Sequence, residues 1–172
     1  AKNRLREIDR ELSMLSLRFG NNLLQETNSI KIVIENPKHL AGLPPEVVAT
    51  AAEAAKNAGL EGKWVFTTHV PSMTPFLQYA QNRELRERLY KAYLSRGDRY
   101  NEYDNKEIIK KIIARRTERA NLLGFPTYAH YSIDVNMAKT PERVESFLLD
   151  LWKYALEKAK AEQAEMQQIA DE

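Results

Sequence analysis

The chain has 172 residues, 26 Lys and Arg against 24 Asp and Glu, and no cysteine. A net charge of +2 creates no field that selects a polyanionic partner, and the missing thiols exclude disulfides, cysteine zinc sites and thiol nucleophiles from this chain. No apolar run approaches the ~20 residues that cross a bilayer, and six glycines and seven prolines among 29% charged residues favour long amphipathic helices.

The first element is a helix. Leu5, Ile8, Leu12, Leu15 and Phe19 recur at alternating steps of three and four, which puts them on one face. Ile30 to Glu35 is β-branched and alternating, and reads as a short strand over about 30–35. Pro44-Pro45-Glu46 opens a helix rich in alanine, which Gly59 stops with Leu60 placed for a Schellman contact. Lys63 to Thr68 is a second strand, over about 63–68. A helix between two strands points to a parallel pair, because a tight hairpin needs no such crossover.

Pro71-Ser72 and Pro75 begin a short helix, and Asn82 caps the next, which turns Leu85, Leu89, Ala92 and Tyr93 inward and ends at Gly97. After a polar, tyrosine-bearing loop, Asn105 is the expected cap of a helix that buries Ile109, Ile112, Ile113, Ala120 and Leu123 up to Gly124. Pro126 restarts a helical segment to about Met137, and Thr140-Pro141-Glu142 opens a last helix with the stripe Val144, Phe147, Leu148, Leu151, Ala155, Ala159. The fold class is mainly α: six to seven helices and two short strands, in one helical module over 1–172. The first helix begins without an evident cap and the last fades into Ala, Gln, Glu and Lys without a stop, so both ends read as cut, with exposed apolar residues expected on both helices.

Little in the chain carries chemistry by itself. His39, His69 and His130 form no His-Glu-x-x-His motif, and His130 with Asp134 offers only two ligands on one turn. No catalytic and no metal-binding residue is assigned. Lys111, Arg115 and Arg119 align along the fifth long helix, but interleaved acids make this a solvated face, not a nucleic-acid surface. Arg116 falls within the apolar stripe of that helix, so it is expected to be partly buried and clamped to an acid of another helix, a structural role. Tyr90, Tyr93, Tyr100, Tyr103, Tyr128 and Tyr131 are boundary residues of the core or, alternatively, a peptide-binding surface.

A series of short motifs is specific in its order and spacing. It runs Gly42-Leu43-Pro44, Gly62-Lys63-Trp64-Val65-Phe66-Thr67, Pro71-Ser72-x-x-Pro75, and Asn82-Arg83-x-Leu85-Arg86-x-x-Leu89-Tyr90-x-Ala92-Tyr93. Asp104-Asn105-Lys106-Glu107-Ile108-Ile109, Arg116-x-Glu118-x-Ala120-x-Leu122-Leu123-Gly124-Phe125-x-x-Tyr128-Ala129 and Met137-Ala138-Lys139-Thr140-Pro141 complete it. This resembles the N-terminal part of the thimet-oligopeptidase family of zinc metallopeptidases, most of all its bacterial peptidyl-dipeptidase (dipeptidyl carboxypeptidase) branch. The resemblance implies a mostly helical enzyme whose zinc, held by a His-Glu-x-x-His helix and a further Glu, activates water for hydrolysis of short unstructured peptides in a deep channel. It implies that this chain is a fragment of the channel wall that binds no zinc itself, is inactive alone and has the catalytic half of the same polypeptide as partner; no targeting segment is visible in the sequence, so the cytoplasm is the expected location. The alternatives are an endo-acting oligopeptidase of the same family, and a free-standing helical scaffold that docks a partner.

Overall fold

The computed structural model describes residues 1–171. Seven α-helices and two strands follow one another as α1 (Lys2–Ser29), β1 (Lys31–Ile34), α2 (Pro45–Asn57), β2 (Trp64–Thr67), α3 (Val70–Tyr79), α4 (Arg83–Leu94), α5 (Lys106–Leu122), α6 (Tyr128–Ile133) and α7 (Pro141–Asp171), with a 3₁₀ turn at Pro37–Leu40. The mainly helical class is as expected. The chain divides into two compact units: Glu11–Ile112, and Ala1–Arg10 together with the chain from Ile113 onward.

The Glu11–Ile112 unit holds a continuous apolar core. Ile32, Ile34, Ala51, Phe66, Met73, Phe76, Ala80 and Leu89 are buried together, and Leu43, Val47, Trp64 and Leu85 pack around them. The rings of Phe66 and Phe76 lie 4.4 Å apart, tilted by 50°, a contact that adds to area burial. Small side chains let α2 approach the sheet: Ala51 and Ala55 are its buried residues. Gly42 is required by its place, with φ at +88° and the Tyr79 carbonyl 2.3 Å from where a Cβ would stand.

The two strands pair antiparallel, Lys31 opposite Thr67 and Ile34 opposite Trp64, which corrects the parallel pairing expected from the sequence. A long connection is a necessary condition for parallel strands but is no obstacle to antiparallel ones. Residues 35–63 are the loop of one long hairpin, and α2 is a helix inserted in that loop.

Helix ends follow the local signals closely. The Leu60 amide donates to the Ala55 carbonyl at 2.8 Å and that of Gly59 to Lys56 at 3.0 Å, the two bonds of a Schellman motif; Phe125 and Gly124 repeat it on Ala120 and Asn121. Asn82 accepts from the Leu85 amide, Thr127 caps α6, and Thr140 accepts from the Arg143 amide at 3.3 Å. The unpaired carbonyls that end α3 are met by Arg86, which donates to those of Ala80 and Gln81.

In the second unit Ile8 and Ala120 are fully buried. Phe125, Tyr128 and Tyr131 form a ring cluster, with Tyr131 5.5 Å edge-on from Phe125 and 5.9 Å from Tyr128.

Truncating Phe76 to Ala removes a wholly buried ring from the centre of the larger core. Its denaturation midpoint is expected to fall by an amount equivalent to about 3–5 kcal/mol, whereas Leu77→Ala at the core's rim costs clearly less; equal effects would contradict this packing.

Candidate functional site

The α1 stripe does not stop at Phe19 but changes character. Asn22 and Glu26 continue it at helical spacing, and both are buried, Glu26 to 1% exposure. A carboxylate in such a place must be satisfied by hydrogen bonds or charge. The segment between α4 and α5 supplies both. The Asn101 side-chain amide donates to Glu26 Oε1 at 2.5 Å, and Arg99 brings a guanidinium nitrogen to 3.7 Å from Oε2. Asn22 Nδ2 donates to Asn105 Oδ1 at 3.0 Å, and Asn105 Nδ2 donates to the Phe19 carbonyl. Arg96 donates to the Thr27 hydroxyl and to the Tyr93 carbonyl, and its guanidinium lies 3.8 Å from the Tyr93 ring centre. Residues 93–105 are thereby stapled to the second half of α1.

Asn105 was the expected cap of α5, but its side chain is committed to α1. Asp104 replaces it, accepting from the amides of Lys106 at 2.9 Å and Tyr100 at 2.8 Å. The Lys106 ammonium bridges Asp104 and Asp98 and lies 3.6 Å from the Tyr100 ring centre. Hydrogen bonds from the Lys106 ammonium, then from the two amides, push the Asp104 carboxyl down to about 2.

On α5 the buried side differs from the one the isoleucines suggested. Ile108 is buried, whereas Ile109 and Ile113 are exposed, Ile113 by 59%. Arg116 turns with them: it is exposed, its guanidinium 5.1 Å from the Tyr128 ring centre. The expected buried Arg116 clamp is therefore corrected. The interhelical ion pairs belong to its neighbours. Arg4 donates two hydrogen bonds to Glu118, at 2.6 and 2.8 Å, Arg115 adds a third at 3.1 Å, and Arg119 stands 3.4 Å from Asp9. The Arg4 hydrogen bonds hold the Glu118 carboxyl below the usual range. Ile108/Ile112 and Ile109/Ile113 are two parallel apolar rows one residue apart, so the sequence pattern fits either face.

The histidines and tyrosines separate. His39 lies in the 3₁₀ turn, and His69 precedes α3 with its Nδ1 3.2 Å from the Thr67 hydroxyl. His130 contacts the Thr127 hydroxyl through Nδ1 at 2.8 Å and Glu142 through Nε2 at 3.3 Å. This hydroxyl–imidazole–carboxylate chain has the order of a nucleophilic relay, but the Thr127 oxygen is the α6 cap, accepting the His130 amide; its role is to tie α6 to the first turn of α7. Tyr93 packs on the core, while Tyr90 and Tyr100 are exposed. Among the described residues no three His, Cys, Asp or Glu side chains converge. A zinc ion therefore does not fit the described residues.

Surface concavities are modest. A cleft of about 200 Å³ between α2, β2 and the start of α3 is lined by Glu46, Val47, Thr50, Val65, Thr67 and Pro71, among others. A shallower depression of about 480 Å³ on α3 and α4 is bordered by Leu77, Arg83, Glu87, Tyr90 and Lys91.

The most conspicuous surface lies on α7. Phe147, Leu148, Leu149, Leu151, Trp152 and Tyr154 are each more than half exposed, and Met14, Leu17 and Leu24 do the same on α1. Apolar exposure on this scale marks an interaction surface. No helix among the described residues is long and apolar enough to cross a membrane.

Comparison with known proteins gives the family of the chain. The sequence profile of peptidase family M3 matches residues 76–172. The chain belongs to that family. It is 37% identical to oligopeptidase A of Haemophilus influenzae over 173 residues, which is 98% of the chain and 25% of that protein. It is 39% identical to a probable cytosolic oligopeptidase A of Arabidopsis thaliana over 148 residues, 83% of the chain and 21% of the relative. With dipeptidyl carboxypeptidase of Escherichia coli it shares 33% over 170 residues, 99% of the chain and 25% of the relative. The chain spans about a quarter of the length of the curated relatives it matches. Similarity thus extends to both branches, the oligopeptidase and the dipeptidyl carboxypeptidase.

Asp104 offers a pH test of the α5 start. Its folded-state value lies below the usual 3.8, so its contribution to stability is complete above about pH 4 and fades as pH falls through about 2. Asp104→Asn is expected to lower the urea midpoint at pH 6, and the gap to the unsubstituted protein to narrow towards pH 2; a gap independent of pH would refute the cap.

Proposed function

We propose that this chain is a wall segment of an M3 peptidase that hydrolyses short, unstructured peptides, with the zinc and the general base supplied by the rest of the polypeptide. The observation that carries the reading is similarity along 98% of the chain to peptidases four times its length. The exposed apolar residues of α1 and α7 support it, since they are surfaces for the remaining part of the same protein to cover. The whole chain 1–172 would act as one helical module of that wall, inactive alone, in the cytoplasm.

Two modes of cleavage follow from the relatives. Removal of C-terminal dipeptides is supported by the match to the Escherichia coli dipeptidyl carboxypeptidase over 99% of the chain. Action as an oligopeptidase that cuts internally is supported by the higher identity, 37% against 33%, and is the reading the comparison favours. Arg116, exposed over Tyr128, is proposed as a surface support of the α5–α6 corner in this wall.

The test uses the longer protein that carries these residues and reads products by mass spectrometry. Chelator-sensitive cleavage of peptides of about ten residues is expected. A C-terminal amide leaves internal cleavage intact but stops dipeptide release, which separates the two modes. Chain 1–172 supplied with zinc should release nothing; chelator-sensitive hydrolysis by it alone would overturn the assignment of chemistry to the rest of the polypeptide.

A further inference from the structure

The apolar surface of α7 is too wide for a helix that packs on one side. At 100° per residue, residues 144–156 place their apolar side chains around an arc of about 220°, from Tyr154 and Phe147 through Leu151, Val144 and Leu148 to Trp152, Leu156 and Leu149, broken within that span only by Glu145. A surface helix needs a stripe of roughly 100°; one that is apolar over most of its circumference belongs inside. The contacts within the chain cover a small part of this arc. Pro141, Val144 and Leu156 are half-buried, while Phe147, Trp152 and Tyr154 are 61, 60 and 70% exposed. From Glu157 on, the helix becomes polar, with Met166 and Ile169 as its large apolar residues.

We infer that residues 144–156 form a central helix, enclosed on two sides by apolar helices of the same polypeptide that lie outside residues 1–172, and that residues 157–171 run on towards solvent. The occupant follows from the length of chain beyond these residues. The relatives carry three residues elsewhere for each one matched here, enough to supply two covering helices, and a cover within one polypeptide needs no association between molecules. This inference depends on the chain being part of a longer M3 protein, not on the kind of peptide bond it cleaves.

The test is made on that longer protein. Single substitutions Phe147→Cys, Trp152→Cys and Tyr154→Cys are compared with Lys153→Cys, which lies on the polar side, for reaction with a thiol reagent, after replacement of any cysteines elsewhere. The three apolar positions are expected to react at least tenfold more slowly than position 153 in the folded protein and at the same rate in denaturant. Hydrogen exchange of the unsubstituted protein gives a second reading: amides of 147–156 should be protected at least tenfold more than those of 160–170. Fast reaction at all four positions with no difference in exchange would overturn the inference. So would protection that vanishes on dilution as a dimer dissociates, since a second copy would then be the cover. Peptide hydrolysis measured in parallel distinguishes this failure from failure of the proposed function.

Discussion

The carboxylate of Glu26 is the constraint around which the Glu11–Ile112 unit is arranged. A charge with 1% exposure is tolerated only beside fixed donors. The Asn101 amide, which donates to it, and the Arg99 guanidinium 3.7 Å away lie in the connection between α4 and α5. Once residues 99–101 are bound to α1, the path to α5 is short, and Asn105 lands where it can join Asn22 and the Phe19 carbonyl. The cap of α5 must then come from another residue, and Asp104 takes it. A buried polar network that spans α1 and residues 93–105 specifies one arrangement where apolar contacts alone would permit sliding.

The same network explains what was legible in the sequence and what was not. Helix ends were read correctly because their causes are local: the Gly59 and Gly124 stops and the Asn82 and Thr140 caps each involve residues within a few positions of one another. Asn105 was misread because its side chain is claimed by a residue 83 positions away, and no local rule weighs such competition. The signal that could have revealed it was the continuation of the α1 stripe into Asn22 and Glu26, polar residues at core spacing. Strand direction failed for a similar reason, since connection length constrains one pairing and leaves the other free.

The candidate site was legible by resemblance more than by chemistry. The ordered motifs pointed to the peptidase family, whereas the single residue chosen by physical reasoning, Arg116, is exposed. The error is geometrical. The expected stripe drew on two isoleucine rows one residue apart on α5, which differ by 100° in direction: its Ile112 and Ala120 are half-buried and buried, while its Ile109 and Ile113 are exposed. With Ile108 inward, Glu118 and Arg119 reach α1 and Arg116 does not. A guanidinium–carboxylate clamp between helices does exist, but at Arg4, which Glu118 meets bidentately.

The two units also differ in what holds them. The Glu11–Ile112 unit has a core of eight buried apolar residues, including two phenylalanines in tilted ring contact, and this is enough hydrophobic burial to define its shape. In the other unit the fully buried apolar side chains are Ile8 and Ala120, and the links between α1 and α5 are ion pairs. The Arg4–Glu118 pair is about one-third exposed on both partners, and pairs so accessible to water add little to stability. Besides these contacts and a small aromatic cluster, this unit leaves the large apolar side chains of α7 exposed.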